Sequence, residues 1–397
     1  MKRAIVLSVT LVIATTVLSQ QTGAQQRQQA PFQEIVTMRG VEFTAAQQAR
    51  AEELRKKYTP QLAEIQRKYG GILTDEQRQA QREAFRAARE AGKEGREARE
   101  AVDAAVKLTD EQRRQLRPQG RHGGPAQPPT HRDVKYGPFD RNVMDVWLAE
   151  SDRPTPVLVS IHGGGFQGGN KSVSGDLLRQ CLESGISVVA ITYRLSDQAI
   201  APAQFLDSAR AIQFIRSKAK PWNLDSTRIA ATGGSAGAGL SLWLGFHDDL
   251  ADPDNEDPVL RESTRLTCMS VYGGQTSYDP RFIRELFPGA DTYKIGALAK
   301  LFDMDPNNLD QLPREKYKLF EECSPITHLT NDDSPAQLIY GTTMDDTGIH
   351  SPRFGKALKE KMDALGIRCD VYAGAEVLGG SSRISTIDFV KEAFGMK

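Results

Sequence analysis

The feature that most constrains this chain is Gly233-Gly234-Ser235-Ala236-Gly237, set between a β-branched apolar run at residues 228–232 and an apolar helical run at residues 236–246. A strand that feeds a helix across so few residues must turn sharply. Glycine at 233 and 237 lets the flanking backbones close on one another, and the residue at the apex is forced into a strained conformation. The turn holds the Ser235 hydroxyl clear of the strand end. It also sets it at a helix N-terminus, whose dipole favours developing negative charge. The sequence therefore presents Ser235 as a nucleophile.

A second glycine cluster, His162-Gly163-Gly164-Gly165-Phe166, follows directly on the apolar run 157–161. Without side chains, this backbone can come close enough for the N–H groups of Gly164 and Gly165 to reach a substrate carbonyl oxygen. The N–H of Ala236 would complete such an oxyanion hole, in which each donor is commonly worth ~10²–10³ in rate.

Around these two turns the pattern alternates. Strands are predicted at 157–161, 186–191, 228–232, 266–272, 337–340 and 369–372, and helices at 202–219, 236–246, 353–365 and 384–394. Alternation of this kind predicts an α/β fold, a mostly parallel sheet with helices on both faces. Sites in such sheets lie beyond the carboxyl ends of the strands, where both glycine turns fall. Residues 274–333 are rich in charge and proline with little strand signal, and are expected to form a small cap insertion over the sheet edge.

With both motifs in place, residues from about Val143 to the C-terminus resemble the hormone-sensitive-lipase-like bacterial carboxylesterases of the α/β-hydrolase superfamily. The likeness is carried by the G-x-S-x-G turn at Ser235 and the HGGG loop starting at His162. Tyr193-Arg194-Leu195, Ala201-Pro202-Ala203 with Asp207, and Asn223-Leu224-Asp225 before Arg228-Ile229-Ala230 add to it. The resemblance implies an eight-stranded α/β-hydrolase sheet over residues 131–397 and hydrolysis of carboxylic esters without metal or organic cofactor. Some relatives remove acyl groups from plant polysaccharides, so a small ester or an acylated carbohydrate is the implied substrate. His162 is implied to be structural, with Gly163, Gly233 and Gly237 shaping the site.

The acid of such a site is expected just after the strand at 337–340. Three residues past Gly341 stands Met344, and the acids present are Asp345 and Asp346. Asp346 fits better when counted back from Ile349 and Pro352. The family's histidine is expected in the loop after the last strand, which here reads Ala373-Gly374-Ala375-Glu376-Val377-Leu378, and no histidine follows residue 350. A serine hydroxyl needs a base to attack at neutral pH. Three readings stand: His350 as a displaced base beside the acid loop; Glu376 as a weak base if burial raises its pKa; or a degenerate hydrolase that binds an ester, carbohydrate or partner without turning it over. His328, in the insertion, is a further candidate to approach the cleft, whereas His247 ends the nucleophile helix far from Ser235.

The N-terminal third is different in kind. Lys2 and Arg3, an apolar run of about 15 residues that falls short of the ~20 needed to span a bilayer, and small residues up to Ala24 read as a signal peptide over residues 1–24. Export to the periplasm or beyond the cell is the expectation, with no membrane span after cleavage. Residues 43–117 are charged and helical, with threonine three residues before glutamine at Thr44/Gln47, Thr74/Gln77 and Thr109/Gln112. Each pair is a capping box that starts a helix. This segment resembles the LTxxQ region of Spy-type periplasmic proteins, which implies a surface for a protein or envelope partner. Residues 118–130, rich in proline and glycine, form the expected linker.

With 51 basic and 51 acidic side chains, the chain lacks the positive field of a nucleic-acid binder. None of its four cysteines has CxxC spacing. Cys268 and Cys369 lie in strand-like runs and read as buried thiols, whereas Cys181 and Cys323 are free to pair in an exported protein. The acidic run from Asp248 to Asp257 lacks calcium-loop spacing and reads as a solvated loop.

Overall fold

The computed structural model describes residues 127–379 and 382–396, together with scattered residues between 74 and 106. The chain divides into two units, Met1–Gln119 and Gly120–Lys397. In the first, the described residues from 76 to 87 are helical, and the capping box at their start is present in both directions. Gln77 N donates to Thr74 Oγ1 at 3.2 Å, and Thr74 N donates to Gln77 Oε1 at 3.0 Å. The signal peptide, the other two capping boxes and most of the linker lie outside the described residues.

The second unit is an α/β-hydrolase fold. Its nine strands are β1 (His131–Lys135), β2 (Val143–Trp147), β3 (Thr155–Ile161), β4 (Ser187–Ile191), β5 (Leu224–Gly234), β6 (Cys268–Tyr272), β7 (Ala336–Tyr340), β8 (Cys369–Ala373) and β9 (Glu376–Gly379). They form one sheet in the order β1-β2-β4-β3-β5-β6-β7-β8-β9. The run from β4 to β8 is parallel, and β1, β2 and β9 join antiparallel at the edges.

β3 and β4 are buried at every position, which is why they read as continuous apolar runs and not as alternation. Their residues still alternate between two cores. Val157, Val159 and Ile161 join the cluster of Ile212, Trp243 and Phe354, and Leu158 joins that of Leu178, Phe389 and Val390. The first cluster is built with α2 (Ala203–Ser217), α3 (Ala236–Phe246) and α7 (Arg353–Ala364). The second is built with α1 (Gly175–Glu183) and α8 (Thr386–Ala393). α3 is buried along its whole length, as its all-round apolar sequence requires.

The insertion carries three short helices, α4 (Pro280–Leu286), α5 (Gly296–Phe302) and α6 (Arg314–Cys323). One expectation needs correction, and one question the sequence left open is answered. The sheet has nine strands and not eight, because Gly374 adopts a positive φ and turns the chain back so that residues 376–379 pair with β8. Cys181 and Cys323 do not pair: all four cysteines are free and buried. Cys181 lies in the α1/α8 core and Cys323 in the α2/α3 core, so the sheet separates them.

Candidate active site

β5 runs straight into α3, and Ser235 stands at the junction with φ 54° and ψ −118°. A side-chain-bearing residue in this region costs of order 1–3 kcal/mol and persists only where its surroundings dictate it. Here the surroundings do. Ser235 N donates to Tyr272 O of β6 at 2.9 Å. A Cβ at Gly237 would lie 2.1 Å from Ile161 O, and one at Gly233 2.5 Å from the same atom. The turn is clamped against the end of β3, and the Ser235 side chain is left half-buried.

The loop from β7 to α7 brings His350 to it. His350 Nε2 lies 2.8 Å from Ser235 Oγ. The backbone around this exposed histidine is held from two sides: Thr342 Oγ1 donates to His350 O at 3.1 Å, and Gln275 Nε2 donates to Ile349 O at 2.9 Å. The carboxylates do not follow. Asp346 Oδ1 accepts from Gly348 N at 2.8 Å, an Asx turn that folds the side chain back on its own loop, and Asp345 is exposed. Among the described residues, no carboxylate hydrogen-bonds His350.

The HGGG loop packs on the same turn. A Cβ at Gly163 would meet Gly234 O at 2.5 Å and the Ser235 Cβ at 3.5 Å, so only glycine permits this approach. Gly164 has φ 108°, and a Cβ there would lie 2.3 Å from Gly168 O. Gly165 faces Ala297 of α5, whose Cβ would be 3.2 Å from a Cβ at 165. The insertion thus leans on the glycine loop. Ala236, at the first position of α3, offers an N–H with no acceptor inside the helix.

His162 uses both ring nitrogens elsewhere. Nδ1 lies 2.8 Å from Gly163 O and so carries the proton, and Nε2 accepts from Arg141 Nη2 at 3.1 Å. The ring stacks on Tyr193 with centroids 4.3 Å apart, and Tyr193 OH donates to His162 O. Burial holds its pKa below the usual histidine range, so it is neutral scaffolding for the loop. Glu376 is exposed on the edge strand β9 and does not line the cleft. His328 does not approach the cleft either. Its ring lies 4.5 Å from that of His247, beyond the other end of α3, because α6 and the 3₁₀ turn Pro325–Thr327 pack there.

A cleft of about 640 Å³ opens over Ser235 and His350, walled by Tyr272, Thr342, Gly374 and Arg383 among others. Of the described side chains lining it, only Arg383 carries a permanent charge. Arg383 Nη1 donates to Gly374 O at 2.5 Å, and its guanidinium lies 5.5 Å from the Tyr372 ring centroid. Sequence reasoning did not single out Tyr272, Thr342, Arg383 or Arg141. Tyr272 directly follows the buried part of β6 and Thr342 comes two residues after the end of β7, the one positional signal that would have found them. Arg141 and Arg383 carry no such signal.

The BD-FAE family model matches residues 144–361, from β2 through α7, and so takes in His162, Ser235, Asp346 and His350. Esterase LipQ of Mycobacterium tuberculosis is 27% identical over 250 residues, covering 59% of this chain and 55% of its own length. The probable carboxylic ester hydrolase LipM of the same organism is 27% identical over 216 residues, covering 53% of this chain and 47% of its own. This chain therefore spans about half the length of the curated relatives it matches. Among solved structures, the bifunctional GH43-CE of Bacteroides eggerthii superposes with a TM-score of 0.53 at 23% identity, over 66% of this chain and 38% of that one. At that identity the likeness is one of fold.

Proposed function

The chain belongs to the BD-FAE family of α/β-hydrolases, and from that premise we propose that it is a carboxylic ester hydrolase working through an acyl-enzyme on Ser235. The observation that carries this reading is the 2.8 Å approach of His350 Nε2 to Ser235 Oγ. As Oγ attacks the ester carbonyl carbon, its proton passes to His350 Nε2. The carbonyl oxygen becomes an oxyanion facing the N–H groups of Gly164, Gly165 and Ala236, which are fixed before the reaction begins. Collapse of this intermediate breaks the C–O bond, and the alcohol leaves with the proton from His350. Water, deprotonated by the same nitrogen, then attacks the acyl group, releasing the acid and restoring the serine. Among the described residues no carboxylate stands behind His350; its orientation comes from the loop contacts to Thr342 and Gln275. Triads are defined by geometry and role, so a base supplied from the loop after β7 serves in place of one after β8.

The cleft's permanent charge at Arg383 favours esters whose acyl or alcohol part bears an anionic group, and an acylated acidic carbohydrate is one such substrate. Export rests on residues 1–24, and it predicts that a secreting host yields a chain cleaved near Ala24, read by intact mass. The N-terminal helical segment is assigned to a protein or envelope partner. Comparing pull-downs with and without residues 25–130 tests that assignment, and an unchanged set of captured proteins would sink it.

The deciding test is hydrolysis of short-chain p-nitrophenyl esters by the full chain beside Ser235→Ala and His350→Ala. Loss of activity in both variants is expected. A second reading, a hydrolase fold that binds without turnover, is favoured by the lack of a carboxylate on His350. It wins if the unaltered chain does no better than Ser235→Ala on neutral, anionic and acylated-sugar esters alike.

A further inference from the structure

The far end of α3 carries a cluster that ester hydrolysis does not use. His247, at the helix C-cap, Glu322 on α6 and His328 after the 3₁₀ turn bring one ligand atom each to within 4.8 Å of one another. His247 Nδ1 lies 2.8 Å from Asp248 O. A carbonyl oxygen only accepts, so Nδ1 carries a proton; Nε2 then holds a lone pair in the neutral ring and a second proton in the imidazolium. Nε2 faces Glu322 Oε1 at 3.0 Å. With the ring protonated this contact is an ion pair; with the ring neutral it sets two lone pairs against one another, and a cation between them takes the proton's place. His328 shows the same construction: Nε2 lies 2.7 Å from the backbone Glu322 O and must donate to it, which leaves Nδ1 as the free lone pair.

A histidine that donates one ring N–H to a backbone carbonyl and keeps its other nitrogen for a cation matches the way metal-binding histidines are oriented. We propose that His247, Glu322 and His328 form a binding site for a divalent transition-metal cation, zinc by donor type. Two imidazoles and one carboxylate suit Zn²⁺, with ligands at ~2.0–2.2 Å and a fourth position left for water. The site opens to solvent through a hollow of about 370 Å³, lined by Glu322, His328, Thr327, Glu321 and Lys318. Lys318 opposes a cation there. Glu321 is already engaged by Arg281 at 2.7 Å. α3 is 11 residues long, so its two ends lie about 16 Å apart at ~1.5 Å per residue, and the ion takes no part in the chemistry at Ser235. Its role is to tie the insertion to the base of the helix that carries the nucleophile.

The test uses the untagged full chain, stripped with chelator and dialysed, titrated calorimetrically with Zn²⁺ alone and followed by thermal melting. Binding of one equivalent and a rise in Tm are expected. Glu322→Gln, a change at an exposed side chain, and His328→Asn are each expected to weaken Zn²⁺ binding at least tenfold while the apo fold survives by circular dichroism. His350→Ala is expected to leave binding unchanged, which separates this site from zinc captured at the catalytic cleft. The proposal is overturned if the folded chain takes up no stoichiometric Zn²⁺, or if Glu322→Gln and His328→Asn bind it as tightly as the unaltered chain. It is equally overturned if His350→Ala is the variant that loses binding.

Discussion

The two ends of α3 are both furnished with histidine, and they hold it in opposite ways. At the N-terminal end His350 comes from an exposed loop, touches Ser235 through Nε2, and has no carboxylate against it among the described residues. At the C-terminal end His247 and His328 each have a ring nitrogen fixed on a backbone carbonyl. A carbonyl anchor dictates which nitrogen carries the proton and leaves the lone pair of the other for a ligand. His350 shows no such anchor on its ring among the described residues, and its Nε2 is turned to the Ser235 hydroxyl, whose proton it can take up and release within one turnover. The comparison teaches that the surroundings of a histidine, more than its presence near a polar partner, decide whether it moves protons or holds still.

Substitutions at Ser235 and His350 put the most weight on this contrast. Ser235→Ala and His350→Ala are each expected to lower kcat by about 10⁴-fold, roughly 5.5 kcal/mol in the barrier. The two together should cost little more than either, since they act as one unit. Additive losses in the double variant would mean that His350 does not act on Ser235. At the turn itself, Gly237→Ala drives a methyl to 2.1 Å from Ile161 O, and a loss of about 1–3 kcal/mol in stability is expected from urea unfolding. An unaltered midpoint would show that the elbow is looser than its packing implies.

The cleft's charge offers a smaller effect. Arg383→Ala should raise KM for an ester bearing a carboxylate by about two- to fivefold, the worth of an exposed ion pair, and leave a neutral ester of equal length untouched. Equal changes on both substrates would assign Arg383 to holding the Gly374 turn instead. The gentlest test is pH. Burial holds His328 and His162 below the ordinary histidine value, so the unfolded chain binds protons that the folded chain refuses. Stability present above pH ~6.5 is therefore lost as the pH falls from there toward the folded values. Melting of the zinc-free protein between pH 7.5 and 5.5 should show this slope, and His328→Asn should flatten it.

How much of this could be read from the chain depends on how local each signal is. The Ser235 elbow and the HGGG loop announce themselves because contiguous glycines encode a backbone path, and the structure brings them together at the end of β3. The buried parallel strands were readable as apolar runs for the same reason. β1 was not, since an edge strand such as His131–Lys135 exposes charged residues and breaks the pattern, and β2 was not, since Asp145 interrupts an apolar run of only five residues. α1 escaped because its charged and apolar residues are mixed over only nine positions. The pairing of His350 with Ser235 could be posed only as one option among three, because 115 residues separate them and a loop sets the distance. The His247–Glu322 contact spans 75 residues and depends on how the insertion packs, which no local pattern records.

The four cysteines are sealed in the two cores and unjoined, and burial pushes the thiols of Cys181 and Cys268 up to about 12. The native molecule is therefore held without a disulfide cross-link, and thiolate is scarce on it at neutral pH. A reducing cytoplasm and an oxidising medium should yield the same product, with no need for a disulfide-forming host strain. On the export route proposed above, the vulnerable interval is translocation, when the chain is still unwound and all four sulfurs face whatever oxidant the compartment supplies.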